Sequence, residues 1–216
     1  MIIDKNRQVN GYKIWDYGYG AFAPLKPVCR KLAAESAVLL KNENQVLPLS
    51  ENETVAIFGR MQLHYYKSGN GSGGNVAAPY VPNFIEAIEK ETTLSLDKEV
   101  LNIYKNWVEE HPFDNGTGWA KEPFCQEEMP LNDDIVTAAA KRNQTAIIII
   151  GRTSGEDKDN LNEKGSFLLT DIEEDMLQKV CGAFRRVVVL LNVGNIIDIS
   201  FLNRYYFSAL MYGRQG

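Results

Sequence analysis

Continuous apolar runs are the feature of this sequence that most constrains its fold. They occupy residues 54–58, 146–150, 187–191 and 207–211. Strands of a half-exposed antiparallel sheet alternate apolar and polar residues, whereas parallel strands are covered on both faces and are apolar throughout. The runs therefore predict parallel strands. The run 146–150 is the most hydrophobic and is followed by Gly151, so we expect it at the centre of the sheet.

Amphipathic segments between these runs predict the helices that cover the sheet. Apolar residues recur every three or four positions over 28–40, which predicts a helix from Pro27 to about Asn42 with its apolar side on a core. Helices are also predicted over 83–91 and 133–143, and Thr170 with Glu173 has the spacing of a capping box that begins another. This alternation predicts an α/β fold, a three-layer α/β/α sandwich around a mostly parallel sheet.

Two stretches fall outside this alternation. Residues 1–26 form an aromatic-rich N-terminal arm, so the sandwich domain is predicted to span 27–216. Residues 104–131 interleave prolines and glycines with aromatic residues, which predicts an irregular loop insertion. The aromatic residues near Trp15 and Trp119 suit sugar stacking or apolar packing, and the sequence favours packing.

Charge and cysteine content exclude several classes of function. The 216 residues include 23 Lys and Arg against 28 Asp and Glu, a net charge of −5 without a basic stripe, so neither a nucleic acid nor an anionic membrane is a predicted partner. Cys29, Cys125 and Cys181 with two histidines provide neither a disulfide framework nor a zinc cluster, and we predict no metal or cofactor. Reduced thiols and the lack of a signal-peptide pattern predict a cytoplasmic location.

The glycine-rich residues 67–74 are the first candidate site. They follow the first predicted parallel strand, and ligands of parallel sheets bind beyond the carboxyl ends of the strands. Gly69, Gly71 and Gly74 have the spacing of a dinucleotide fingerprint, but that fingerprint begins directly at the strand end and opens into a helix. The sequence favours a backbone rim for an uncharged ligand over a purely structural loop, and both over nucleotide binding.

Ionisable residues directly after the central strand form the second candidate site. Glu156 follows Gly155 and is flanked by Arg152 and Asp157, so its carboxyl group can act as a general acid or base. On these residues alone, a solvated loop that caps a helix is favoured over catalysis. A third turn, 192–195, lies at the same predicted edge and either links a strand to a helix or shapes a cleft.

Ordered motifs over nearly the whole chain resemble a known family. They are 31–43 (KLAAESAVLLKNE), 46–49 (VLPL), the glycine-rich residues 67–73, 152–156 (RTSGE), 167–170 (FLLT) and 187–194 (VVVLLNVG). In this order they resemble the sandwich domain of glycoside hydrolase family 3, the β-glucosidase and β-xylosidase family. A chain that opens with this domain also resembles the subgroup whose domain order is reversed.

The resemblance implies a retaining, exo-acting β-glycosidase that hydrolyses terminal β-linked sugars. In the family, an Asp on a β/α barrel is the nucleophile, and a carboxylic acid ~5 Å away protonates the leaving oxygen. The Glu of the family's Ser-Gly-Glu segment corresponds to Glu156. Asn160 stands where the family segment often has Arg, which reduces the expected electrostatic support of the loop. The residues expected to bind substrate or orient this loop are Lys67, Gly69, Gly71, Ser72, Gly73, Arg152, Ser154 and Asp159.

Relative to this family the chain is expected to be incomplete at its C-terminus. In the reversed subgroup a further helix, a strand, a linker and the barrel follow the strand that corresponds to 207–211. Without the barrel partner we expect no glycoside hydrolysis by the chain alone, and an uncovered apolar face favours self-association. Two other functions stay open: a non-catalytic carbohydrate-binding or interaction module, and a flavodoxin-like nucleotide-binding domain.

Overall fold

The computed structural model describes residues 8–9, 12–13, 25–71, 74, 81–156 and 158–213. The predicted site residues Ser72, Gly73 and Asp157 and most of the aromatic arm lie outside the described residues. The chain divides into two compact units between Ala37 and Val38. The first unit contains the antiparallel pair β1 (Gln8–Val9) and β2 (Tyr12–Lys13) and the helix α1 (Lys26–Ser36).

The second unit is built on a six-stranded sheet. Its strands are β3 (Val38–Asn42), β4 (Thr54–Phe58), β5 (Ser95–Leu96), β6 (Thr145–Arg152), β7 (Arg186–Val193) and β8 (Ala209–Gly213). Their spatial order is β3-β8-β7-β6-β4-β5, and every neighbouring pair is parallel except β3 with β8. All residues of β6 are buried, and β6 lies between β7 and β4, so the predicted interior position of this run is confirmed.

Helices cover both faces of this sheet. They are α2 (Phe84–Glu91), α3 (Lys98–Glu110), α4 (Asp133–Arg142) and α5 (Asp171–Ala183). Alternate residues of β6 face opposite sides: Ile148 packs with residues of α3, α4 and α5, whereas Ile147 packs with residues of α2. The predicted three-layer α/β/α arrangement with a mostly parallel sheet is therefore confirmed. Across the described residues, no helix is long and apolar enough to cross a membrane.

The structure corrects the predicted end of the first helix. Helix α1 ends at Ser36, and the residues predicted to continue it form β3, where Val38 pairs with Tyr212 and Asn42 with Ala209. The apolar residues 38–40 are compatible with either a helix or a strand. Hydrogen bonds to β8 determine that they form a strand. Val28 and Leu32 of the predicted apolar stripe are 53% and 59% exposed, so this side of α1 is not buried.

The irregular segment is shorter than the predicted 104–131. Helix α3 runs from Lys98 to Glu110. Asp97 caps its N terminus by accepting from the backbone N–H groups of Glu99 and Val100, and Tyr104 is fully buried. The irregular segment therefore begins at His111 and ends before α4. Hydrogen bonds join this segment to the loop after β4, through Glu122 and Asn70, and to the loop after β6, through Phe124 and Thr153, at the carboxyl edge of the sheet.

Candidate functional site

The glycine-rich loop and the loop after β6 are paired through their backbones. The N–H of Asn70 donates to the carbonyl of Ser154 at 2.5 Å, and the N–H of Glu156 donates to the carbonyl of Asn70 at 3.2 Å. Asn70 and Gly155 form an isolated parallel bridge. The two segments predicted as separate candidate sites are thus one structure, in which Glu156 extends from the paired backbone.

Two glycines allow this close approach. A Cβ atom on Gly69 would lie 2.5 Å from the carbonyl oxygen of Ser154, which is closer than real Cβ contacts allow. Gly71 has a φ of +99°, in the left-handed region that favours glycine, and a Cβ atom there would lie 2.7 Å from Oε2 of Glu156. Side chains at either position would push the two loops apart.

A groove of about 440 Å³ opens beside this pair of loops. Its described lining comprises Gly69, Asn70, Gly74, Ser154, Gly155, Glu156, Gly194 and Asn195. The three turns predicted at the edge of the sheet therefore contribute to one groove. Glu156 is exposed and is the only titratable side chain among these lining residues. The described part of the groove thus presents one carboxyl group among neutral residues.

This arrangement disfavours the nucleotide alternative. Gly71 lies against the carboxyl group of Glu156, which repels a phosphate. The next described helix after Gly74 begins only at Phe84, whereas a phosphate-binding loop opens directly into the N terminus of a helix.

Arg152 lies behind the groove rather than in it. Its side chain is 2% exposed, and its two terminal nitrogens donate to the two carboxylate oxygens of Glu173 at 2.6 Å each. It also donates to the carbonyls of Ser166 and Leu168. Burial disfavours the charged guanidinium, but the carboxylate of Glu173 outweighs this cost and raises the pKa of Arg152. This position suits the predicted orienting role.

Glu173 also forms the predicted capping box with Thr170, so one carboxylate joins the end of β6 to the N terminus of α5. The spacing of Thr170 and Glu173 indicated the cap, but the partnership with Arg152 depends on the fold and was not predicted.

The remaining predicted site residues are spread along the same edge. Ser154 is half-buried and lines the groove, whereas Asp159 and Lys67 are exposed. Asn160, which stands where the family often has Arg, donates to the carbonyl of Ile196 at 2.7 Å and accepts from Asn195 at 3.0 Å. Neutral hydrogen bonds therefore tie the loop after β6 to the turn after β7.

Asn192 begins the third predicted turn, and its supporting role was not predicted. It is fully buried, accepts from the N–H of Tyr66 at 2.8 Å and donates to the carbonyl of Tyr66 at 3.2 Å. These bonds attach the start of the glycine-rich loop to the end of β7. The available signal was a polar residue that ends a continuous apolar run.

The irregular segment also contributes more than predicted. The carbonyl of Glu122 accepts from the side chain of Asn70 at 3.2 Å, and the carbonyl of Phe124 accepts from the N–H of Thr153 at 2.8 Å. Burial raises the pKa of the Glu122 carboxyl group, despite the opposing effect of Lys158. This segment therefore supports both loops of the groove.

A second cavity, of about 470 Å³, lies between the glycine-rich loop and the irregular segment. The aromatic side chains of Tyr65, Tyr66, Phe113 and Trp119 line it, together with Lys67 and Glu122. Aromatic walls with a few polar groups are typical of ligand pockets. The carboxyl group of Glu156 is not among its described lining residues.

The turn after β4 rests on a buried carboxyl group. Glu128 accepts from the backbone N–H groups of Arg60 at 2.9 Å and Met129 at 2.8 Å. Burial raises the pKa of Glu128 to about 7, although the two N–H donors and the charge of Arg60 oppose this shift. Glu128 is thus a titratable group within the framework of the site.

Comparison with known proteins identifies relatives of this chain. It is 52% identical over 183 residues to a beta-glucosidase of Ruminococcus albus, covering 85% of this chain and 19% of the relative. It is 32% identical over 196 residues to beta-glucosidase A of Butyrivibrio fibrisolvens, covering 80% of this chain and 23% of that protein. The chain therefore spans about a fifth of the length of these curated relatives.

Solved structures agree with this relationship. A beta-glucosidase from Paenibacillus barengoltzii has a TM-score of 0.87 at 45% identity, covering 90% of this chain and 21% of that one. Beta-glucosidase 3B from Thermotoga neapolitana, solved in complex with glucose, has a TM-score of 0.78 at 29% identity, covering 88% and 27%. Residues 37–215 match the glycosyl hydrolase family 3 C-terminal domain. This chain therefore belongs to glycosyl hydrolase family 3 through its C-terminal-type α/β domain.

Proposed function

We propose that this chain supplies the acid/base carboxyl group, Glu156, to the active site of a retaining, exo-acting β-glucosidase. The observation that carries the proposal is the position of Glu156 as the only titratable side chain among the described residues that line the groove. The relatives named beta-glucosidases support the reaction class. The small, neutral groups around Glu156 suit an uncharged sugar, with Ser154 and the glycine-rich loop as its rim.

In this mechanism Glu156 acts twice. Its protonated carboxyl group donates a proton to the glycosidic oxygen as the bond to the anomeric carbon breaks and a carboxylate nucleophile forms a glycosyl ester. The ionised Glu156 then removes a proton from water as the water oxygen attacks the anomeric carbon and the ester bond breaks. These steps return both carboxyl groups to their starting states.

The nucleophile has to come from outside the described lining of the groove. A retaining mechanism needs a second carboxyl group ~5 Å from the first, and among the described lining residues only Glu156 has one. We therefore propose that a β/α barrel completes the cleft and that the chain alone is inactive. Incubation of the 216-residue chain with an aryl β-glucoside should give no turnover above buffer; turnover typical of a whole enzyme would contradict this proposal.

The role of Glu156 is tested by Glu156→Gln in a chimera that carries this chain in place of the matching segment of the Ruminococcus albus relative. We expect kcat/KM for methyl β-glucoside to fall by roughly 10²- to 10⁴-fold, because its leaving group needs a proton. The rate of bond cleavage in dinitrophenyl β-glucoside should change far less, because that leaving group departs unprotonated. Single-turnover kinetics measure this step separately from the later hydrolysis.

Glu163→Gln is the matched control, because Glu163 is an exposed carboxyl group that does not line the groove. It should leave both rates unchanged. Equal losses for both substrates in Glu156→Gln, or no loss, would contradict an acid/base role. Unchanged kinetics with retained sugar binding would favour the non-catalytic carbohydrate-binding alternative, for which the aromatic walls of the second cavity are the supporting observation.

A further inference from the structure

Lys158 connects the loop after β6 to the irregular segment through a hydrogen bond and a cation–π contact. Its ammonium group donates to the carbonyl of Glu122, the same carbonyl that accepts from the side chain of Asn70. One carbonyl oxygen of the irregular segment is thus shared by the two loops that form the groove. The ammonium also lies over the ring of Phe124, 4.5 Å from the ring centroid, which is a cation–π contact.

These contacts fix one end of a short turn whose other end is already fixed. Gly155 and Lys158 form an isolated antiparallel bridge, so the chain reverses between them. Gly155 is held by its bridge to Asn70, and Lys158 is held by Glu122 and Phe124. Glu156 lies within the reversal, between the two fixed positions.

The environment of Lys158 shows that these contacts are built into the fold. Its side chain is half-buried, and burial lowers its pKa, opposed by the carboxyl group of Glu122. Phe124 is itself held in place because its carbonyl accepts from the N–H of Thr153. A lysine on a solvated loop has neither burial nor such partners.

We propose that Lys158 is a positioning residue for the acid/base group: by tying its turn to Glu122 and Phe124, it holds the carboxyl group of Glu156 at the groove. The inference rests on the proposed function of Glu156 and extends it to a residue that does not line the groove. A displacement of about 1 Å at a catalytic group lowers rates by up to about 10²-fold, so the loss of this anchor should be measurable in proton transfer.

The test is Lys158→Met in the same chimera. Methionine keeps an unbranched apolar side chain over Phe124 but has no donor for the carbonyl of Glu122. We expect kcat for methyl β-glucoside to fall by roughly 10- to 100-fold, with little change in bond cleavage for dinitrophenyl β-glucoside. Lys158→Arg keeps a cationic donor and should restore most of the lost rate. Lys141→Met, at an exposed position of α4, is the control and should change neither rate.

The outcomes separate this inference from the proposed function. Selective loss for the poor leaving group, with rescue by Arg, supports positioning by Lys158. Equal losses for both substrates, or unchanged rates, overturn it. If Lys158→Met does not fold, the same comparison with Lys158→Gln decides between these results. If Glu156→Gln lowers the rates for both substrates equally, the proposed function itself fails. If Glu156→Gln shows a selective loss for methyl β-glucoside but the folded Lys158 variant does not, only the inference about Lys158 fails.

Discussion

At the scale of single residues, Gly71 shows how the absence of a side chain determines the position of Glu156. A Cβ atom on Gly71 would lie 2.7 Å from Oε2 and 2.8 Å from Cβ of Glu156, and the backbone has a φ of +99°. Because of both features, any residue other than glycine would be energetically costly at this position. The groove therefore depends on a glycine as much as on the carboxyl group itself.

Gly71→Ala should displace Glu156 and weaken catalysis. In the chimera we expect kcat/KM for methyl β-glucoside to fall by at least about tenfold. The left-handed backbone should cost the chain about 1–2 kcal/mol of unfolding free energy. Gly182→Ala is the matched control: Gly182 lies in α5 with open space around its Cα, so alanine should be neutral or slightly stabilising. Full activity in Gly71→Ala would refute the close contact between the loops.

Glu128 gives the chain a specific dependence of stability on pH. Its pKa in the folded chain is about 7, above the value of about 4.3 of a solvated Glu, so the folded state binds this proton more tightly than the unfolded state. The associated stabilisation is complete below pH ~4 and is lost as pH rises through about 7. Its full size is about 4 kcal/mol.

Glu128→Gln removes this titration while keeping an acceptor for the N–H groups of Arg60 and Met129. Urea unfolding of both chains at pH 5 and pH 8 measures the effect. The unfolding free energy of the variant minus that of the native chain should be larger at pH 8 than at pH 5. A pH-independent difference between the two chains would show that Glu128 ionises normally.

At the scale of elements, the Arg152–Glu173 pair joins the central strand to α5. Both side chains are almost fully buried, with 2% and 7% exposure, so removal of one leaves an uncompensated buried charge. Glu173→Ala should therefore lower the unfolding free energy by about 3–5 kcal/mol. Glu174→Ala, which breaks the exposed pair with Arg204, should cost less than about 1 kcal/mol in the same denaturant titration. Similar losses in the two variants would contradict this account.

The exposed apolar residues of the edge strand β3 predict self-association of the chain. Val38, Leu39 and Leu40 are each about half exposed, at 47%, 50% and 53%, on a strand that ends the sheet. Exposed apolar edge strands favour pairing between chains. We expect light scattering to show a mass that rises with concentration, and Leu39→Lys to reduce the rise more than Leu161→Lys, an equally exposed loop position. A monomer at all concentrations would contradict this expectation.

The elements that the sequence predicted are those whose signals are local. The apolar runs identify β4, β6 and β7 because these strands are buried on both faces, and Thr170 with Glu173 identifies the start of α5. Helix α3 was missed because Trp107 and its neighbours were assigned to the irregular segment. The exchange of helix for strand over 38–42 was missed because β8, the partner that decides it, is distant in sequence.

The two loops of the candidate site were predictable from the sequence, whereas the residues that support them were not. Glycine spacing and the family resemblance indicated the two loops, because those signals are contiguous in sequence. The supports of the loops were not predicted, because they join distant residues: Asn192 binds Tyr66, and Glu122 binds Asn70 and Lys158. Such contacts become visible only when the sheet has brought the loop ends to one edge.

At the scale of the whole molecule, we propose that this chain provides one half of an active site. The groove provides one titratable carboxyl group among its described lining, and the chain spans about a fifth of the beta-glucosidases it resembles. A retaining mechanism divides its two carboxyl groups between acid/base and nucleophile. We therefore propose that Glu156 has the acid/base role and that the nucleophile belongs to a partner domain.

Azide rescue tests this claim most directly. In the chimera with Glu156→Gly, dinitrophenyl β-glucoside still forms the glycosyl intermediate, but water attacks it slowly because no base assists. Azide needs no base, so it should accelerate turnover and yield β-glucosyl azide, the product of a second inversion at the anomeric carbon. An α-glucosyl azide, or no acceleration by azide in a folded chimera, would contradict the assignment of Glu156 as the acid/base.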